Sequence, residues 1–84
     1  MKHFVYVLKS QKDGRLYKGM TKDVANRLKQ HNSGETKSTK AYCPWVLVYT
    51  EEFKTIEEAV NREKNLKSGV GREFLNERLR SSTE

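Results

Sequence analysis

The chain holds one cysteine, Cys43, and one proline, Pro44, in 84 residues. A single cysteine excludes an internal disulfide framework and any four-cysteine zinc site, and makes a reducing cytoplasm the expected setting. Cysteine and histidine occur nowhere at metal-ligand spacing, and no glycine-rich phosphate loop is present. Long apolar runs are also missing. The longest, Phe4–Leu8 and Pro44–Tyr49, are far too short to cross a bilayer or to serve as a signal peptide. No helix-length stretch opposes a basic face to an apolar one, so no membrane partner is expected. Internal repeats, low-complexity tracts and linkers are absent, and the length leaves no room for a second core. Residues 1–84 therefore read as one domain. A chain this short buries only roughly 60–65% of its unfolded surface, so its core is thin.

What is present is aromatic and basic. Trp45, four tyrosines and three phenylalanines argue against disorder although 33% of the residues are charged. Lys and Arg number 17 against 11 Asp and Glu, for a net charge of +6. The excess is lopsided: residues 1–40 carry ten basic and three acidic side chains, residues 41–84 seven and eight. A basic half on a small domain suggests a polyanion such as nucleic acid, with a merely solvated surface as the alternative. On this reading Lys9, Lys18, Lys22, Arg27, Lys37 and Lys40 line one surface for phosphates.

Residues 3–10 alternate Phe4, Tyr6 and Leu8 against Val5 and Val7, which predicts a central strand apolar on both faces. Lys12-Asp13-Gly14 is a turn signal and Arg15–Met20 its hairpin partner, with Gly19 marking a close approach. Thr21 or Asp23 caps a short helix through Val24, Leu28 and His31, ended by Asn32-Ser33-Gly34. A polar loop runs from Glu35 to Tyr42, and Trp45–Thr50 forms a third strand. Thr55 and Glu58 form a capping box for a second helix, which Gly69 stops. Arg72–Arg80 makes a last short helix around Phe74, Leu75 and Leu79. The order β-β-α-β-α-α predicts an α+β fold: a three-stranded, largely antiparallel sheet flanked by helices.

Several residues look out of place in a purely structural account. With Ile56 at 0° and ~100° per residue, Ala59 falls at ~300°, Leu66 at ~280° and Val60 at ~40°. Glu63, at ~340°, lies inside that apolar stripe. A carboxylate there costs several kcal/mol unless paired, hydrogen-bonded or bound to a metal; the plain alternative is a helix edge where it meets a lysine. Arg27 and His31, spaced i, i+4, share one face beside the buried stripe and can converge on an anion, or simply flank a solvated helix. Tyr6 and Tyr17 come from paired strands, where tyrosines usually pack with a wet hydroxyl. Lys18 points to the other face of its strand from Tyr17. Cys43 lacks any nearby base except the distant His3 and His31, so a nucleophilic role is not indicated.

Taken together these residues resemble the GIY-YIG nuclease family. Phe4-Val5-Tyr6 stands where the family has Gly-Ile-Tyr, and Tyr17-Lys18-Gly19 where it has Tyr-Ile-Gly. Residues 20–32, MTKDVANRLKQHN, look like the family's first helix, with its arginine at Arg27 and its His/Tyr position at His31. Residues 57–66, EEAVNREKNL, look like the helix with the metal-binding glutamate, here Glu63; Asn76 matches a position where many members have asparagine. The similarity is closest to small stand-alone members and extends to the nuclease domain of the bacterial excision-repair incision subunit. Met20 stands where some repair members carry a lysine.

The resemblance implies a divalent-metal-dependent endonuclease acting on nucleic acid, DNA rather than RNA, in repair or recombination. Glu63 would hold Mg²⁺ or Mn²⁺, Arg27 would neutralise charge on the phosphate, and Tyr17 or Tyr6 would position the attacking water. His31 would orient a tyrosine or contact phosphate, and Asn76 completes the set. Cutting both strands would require a homodimer or a separate specificity partner. If the fold is as read, the tips of Tyr6, Tyr17, Arg27 and His31 and the Glu63 carboxylate share one shallow concave face. The alternatives are a non-catalytic nucleic-acid-binding module on the same fold, and a protein-interaction domain whose basic half meets an acidic partner.

Overall fold

A computed structural model describes residues 2–82; Met1, Thr83 and Glu84 of the expected 1–84 unit lie outside them. The elements are β1 (His3–Ser10), β2 (Leu16–Thr21), α1 (Val24–Asn32), α2 (Lys37–Lys40), β3 (Trp45–Phe53), α3 (Ile56–Lys67) and α4 (Gly69–Ser82). Both neighbours of β1 are antiparallel to it, in the order β2-β1-β3. The expected α+β sheet with a central first strand is therefore present.

Both faces of β1 are buried, and its alternation divides the core. Val5 and Val7 pack with Ala59, Leu66 and Leu75 under α3 and α4. Tyr6 and Leu8 pack with Trp45, and Tyr17, Val24 and Leu28 close over them on the α1 side. Between Val7 and Leu8 the pairing with β3 slips by one residue, from Tyr49 to Leu47. This bulge lets Val48 and Tyr49, neighbours in sequence, both pack on the α3/α4 side.

Local chemistry sets the element ends. Gly14 takes a left-handed φ of 80° in the β1–β2 turn, and the Ser10 hydroxyl accepts from the amides of Lys12 and Asp13 while donating to the Tyr42 carbonyl. Asp23 is the α1 cap, accepting from the Asn26 amide at 3.0 Å. Thr55 and Glu58 form the expected reciprocal capping box on α3.

Three parts of the chain differ from expectation by more than two residues. The polar loop at Glu35–Tyr42 contains the one-turn helix α2, because Thr39 is pulled into the core while Lys37 and Lys40 stay outside. Strand β3 continues past Thr50 to Phe53, its Glu51 held by Arg62 of α3 at 2.6 Å. Helix α4 begins at Gly69 rather than Arg72, directly after the Ser68 cap of α3. Gly71 permits this tight junction: a Cβ there would run into the Asn65 carbonyl and the Leu66 backbone.

Candidate active site

The site grows from the Tyr6–Gly19 pair of the β1–β2 ladder. The Tyr6 hydroxyl lies only 2.5 Å from where a Gly19 Cβ would stand. Glycine is required there so that the phenol can lie over β2. From α1, His31 brings Nε2 to 3.1 Å from that hydroxyl, and its Nδ1 lies 2.8 Å from the Thr39 hydroxyl on α2. Thr39 in turn donates to the Thr36 carbonyl at 3.4 Å. All three members of this chain are buried: Tyr6 is 3% exposed, His31 and Thr39 1% each.

Electrostatics give the chain a direction. Burial pushes the Tyr6 phenol up to about 12, with the neighbouring Tyr17 and then Glu63 adding to the rise and Arg27 opposing it. Burial, followed by the Arg27 charge, pushes His31 below its ordinary value. At neutral pH Tyr6 is thus protonated and His31 neutral. The order that satisfies every atom is Tyr6 O–H donating to His31 Nε2, His31 Nδ1–H donating to Thr39, and Thr39 donating to the Thr36 carbonyl. Thr39 is also anchored through its backbone, where its carbonyl accepts from Trp45 Nε1 at 3.0 Å.

Tyr17 lies against this chain. Its ring centroid is 4.9 Å from that of His31, 6.3 Å from Tyr6 and 6.2 Å from Trp45. It is only half-buried, and no described residue hydrogen-bonds its hydroxyl. Arg27, one turn before His31 on α1, is half-buried and has no carboxylate partner among the described residues. Its charge acts on both Tyr6 and His31. Tyr6, Tyr17, Arg27 and His31 are therefore brought together.

Glu63 arrives from α3, which packs on the other side of the sheet. It borders the buried stripe rather than occupying its centre, because exposed Ile56 lies off that stripe and Ala59 and Leu66 define it. Its side chain is 23% exposed and meets Lys67 at 3.6 Å, i to i+4. Its charge adds to the rise of the Tyr6 phenol as the smallest of the four influences there. Asn76 lies exposed on α4, and no hydrogen bond or ion pair among the described residues links it to the Tyr6 cluster.

The expected single basic surface is divided by the sheet. Arg27, Lys37 and Lys40 lie on the α1/α2 side, with Lys22 exposed just before α1. Lys9 and Lys18 share the Val5–Val7 side of the ladder, since side chains alternate along each strand. Met20 also faces that side, packed against the apolar cluster there.

No group of three or more His, Cys, Asp or Glu side chains among the described residues could form a closed metal cage. A single accessible carboxylate does fit Mg²⁺ or Mn²⁺, which keep several waters and take few protein ligands beside a phosphate. Glu63, with its side chain 23% exposed, is a carboxylate of that kind.

Thr39 is the participant the sequence did not reveal. A threonine in a lysine-flanked polar segment reads as loop, and only its burial beneath α1 shows its place in the hydrogen-bond chain. The available signal was weak: a β-branched residue at the centre of Lys37-Ser38-Thr39-Lys40.

A family model described as the GIY-YIG catalytic domain matches residues 2–76. A UPF0213 protein of Staphylococcus saprophyticus is 46% identical over 68 residues, covering 80% of this chain and 82% of that protein. A UPF0213 protein of Staphylococcus aureus is 46% identical over 67 residues, covering 79% and 80%. The solution NMR structure of a UPF0213 protein from Bacillus halodurans aligns with a TM-score of 0.57 at 40% identity, over 92% of this chain and 84% of that one. The chain thus has a nuclease-type fold and belongs to the GIY-YIG family, with the small UPF0213 proteins as its relatives.

Proposed function

We propose that this protein is a divalent-metal-dependent endonuclease that hydrolyses phosphodiester bonds in nucleic acid, DNA rather than RNA, in the cytoplasm, as a single catalytic domain. The observation that carries the reading is the contrast between two neighbouring tyrosines. Tyr6 is held as a protonated donor to His31, whereas Tyr17, packed against His31, presents a hydroxyl with no hydrogen-bond partner among the described residues, and Arg27, one turn before His31, has no carboxylate partner among them. Tyr17 is the group able to orient a water. Arg27 offers five donors and a fixed charge to a phosphate, and its stabilisation grows as charge builds on the phosphoryl oxygens. His31 and Thr39 hold Tyr6, and Tyr6 with Gly19 forms the floor under the reacting groups. Glu63 would hold Mg²⁺ or Mn²⁺, which supplies further charge neutralisation at the phosphate. Asn76 is assigned no step.

Nicking of supercoiled plasmid in Mg²⁺ or Mn²⁺, stopped by EDTA, is the test. Tyr17→Phe and Glu63→Gln should each lower the rate by at least about 100-fold, the scale of losing one positioned catalytic group. Variants that nick like wild type would end this assignment. A second reading, a binding module without chemistry, is favoured by one observation: Glu63 already has a cationic partner in Lys67. Salt-sensitive DNA binding by a wild-type protein that never nicks would establish it.

A further inference from the structure

A second concentration of positive charge lies on the α3/α4 side of β2, and of its members only Lys18 has been given a role above, as an expected phosphate contact. Lys18 is the β2 residue opposite Val7, so its side chain leaves the sheet on that side while Tyr17 and Gly19 turn toward Tyr6. Lys67 ends α3 and Arg72 lies in the opening turn of α4. The junction between those helices is rigidly closed. The Ser68 amide bonds the Asn65 carbonyl at 3.1 Å, the Arg72 amide bonds the Ser68 carbonyl at 2.9 Å, and only a glycine fits at position 71. Val7, the ladder partner of the half-buried Lys18, packs in one cluster with Leu66, the residue before Lys67, and with Leu75, one turn after Arg72, so both cations lie on the flank that Lys18 faces; the proton affinity of Lys18 is lowered by burial first and then by Arg72 and Lys67.

Counter-charge is scarce there. Among the described residues neither Lys18 nor Arg72 has a carboxylate partner, and Lys67 has only its 3.6 Å contact with Glu63. Two cations on the flank of a half-buried third oppose it and each other, and an anion bound among them relieves that repulsion. A polyanion can serve this corner and the Tyr17 side together because β2 is the edge of the sheet. One strand separates the two flanks, and a nucleic-acid backbone carries a charge about every 3.4 Å of axis per strand.

We propose that Lys18, Lys67 and Arg72 form a phosphate-binding site for the DNA backbone, so that bound DNA straddles the β2 edge instead of lying along α1 and α2 alone. The inference rests on the nucleic-acid reading above and adds two residues, Lys67 and Arg72, and a path to it. It is tested by fluorescence anisotropy of labelled single-stranded and duplex DNA across a NaCl series, in EDTA and again in Ca²⁺. Wild type is compared with the Lys18→Gln/Lys67→Gln/Arg72→Gln triple variant and with a remote Lys2→Gln/Lys54→Gln control. The triple variant should lose about two to three units of log–log salt slope, at roughly 0.7–0.9 per phosphate contact, and the control should lose none. In wild type, the backbone amide resonances of Lys18, Lys67 and Arg72 should shift on DNA titration, a readout that needs no variant. If wild type binds DNA but the triple variant keeps the full slope and these amides stay still, the site is overturned and the nucleic-acid reading stands. If wild type binds no DNA, both fall.

Discussion

Thr39→Val tests the buried hydrogen-bond chain at its least conspicuous member. Valine nearly matches threonine in volume and removes only the hydroxyl. His31 Nδ1, 2.8 Å from that hydroxyl and on a side chain 1% exposed, would then face a methyl group. Leaving a buried donor unsatisfied costs about 1–3 kcal/mol, and the weaker 3.4 Å bond to the Thr36 carbonyl adds little. The alternative for the ring is the other tautomer. Nε2 then becomes a donor toward Tyr6, and the phenol must turn its own hydrogen away from the histidine. Either route loosens Tyr6. For a domain of this size each 1 kcal/mol shifts Tm by roughly 4–8 °C, so a fall of about 5–20 °C is expected. Urea unfolding would give the free energy, and long-range ¹H–¹⁵N correlation of the imidazole would give the tautomer. Thr39→Ser keeps the hydroxyl and should retain the wild-type tautomer with a smaller loss. The reasoning is refuted if Thr39→Val lies within about 0.5 kcal/mol of wild type with an unchanged imidazole spectrum, or if Thr39→Ser costs as much as Thr39→Val.

Three other outcomes are expected. Because the folded pKa of His31 is depressed below 6.5, the unfolded chain takes up the proton first on acidification; the stability it contributes is complete above about pH 6.5 and is lost as the pH falls through the folded pKa, so His31→Gln should flatten urea-unfolding free energy between pH 7 and 5. Arg27→Ala should lower the nicking rate by about 100-fold or more while weakening DNA affinity by about tenfold or less, since its charge acts most as the transition state forms; equal losses in both measurements would make it a binding residue only. Gly19→Ala places a methyl group against the Tyr6 phenol and should destabilise by about 1–3 kcal/mol, a cost that should shrink when Tyr6 is itself shortened to leucine, as a double-mutant cycle would show.

Much of the fold was legible locally. The alternation at Phe4–Leu8 marked a central two-faced strand, and Asp13-Gly14, Asp23 and the Thr55/Glu58 box punctuated the chain through short-range hydrogen bonds that need no tertiary partner. What could not be read depended on distant contacts. Glu51 and Glu52 concealed the end of β3, where Glu51 is paired with Arg62 of α3. The α3–α4 junction depended on Gly71 fitting against Asn65 and Leu66, a contact between helices that periodicity does not report.

The candidate site divides the same way. Composition and spacing by themselves determined that the amino-terminal half is basic, that Arg27 and His31 share a helix face, and that Tyr6 and Tyr17 occupy paired strands, because these follow from charge, the 3.6-residue turn and the two-residue pleat. Only the tertiary structure decided which tyrosine is held and which is free, because that depends on how deeply α1 and α2 bury His31 and Thr39. It also decided that the basic residues fall on two sides of the sheet and that Glu63 meets Lys67 at the margin of α3. Burial and the meeting of charges are set by elements far apart in the chain, and no local pattern encodes them.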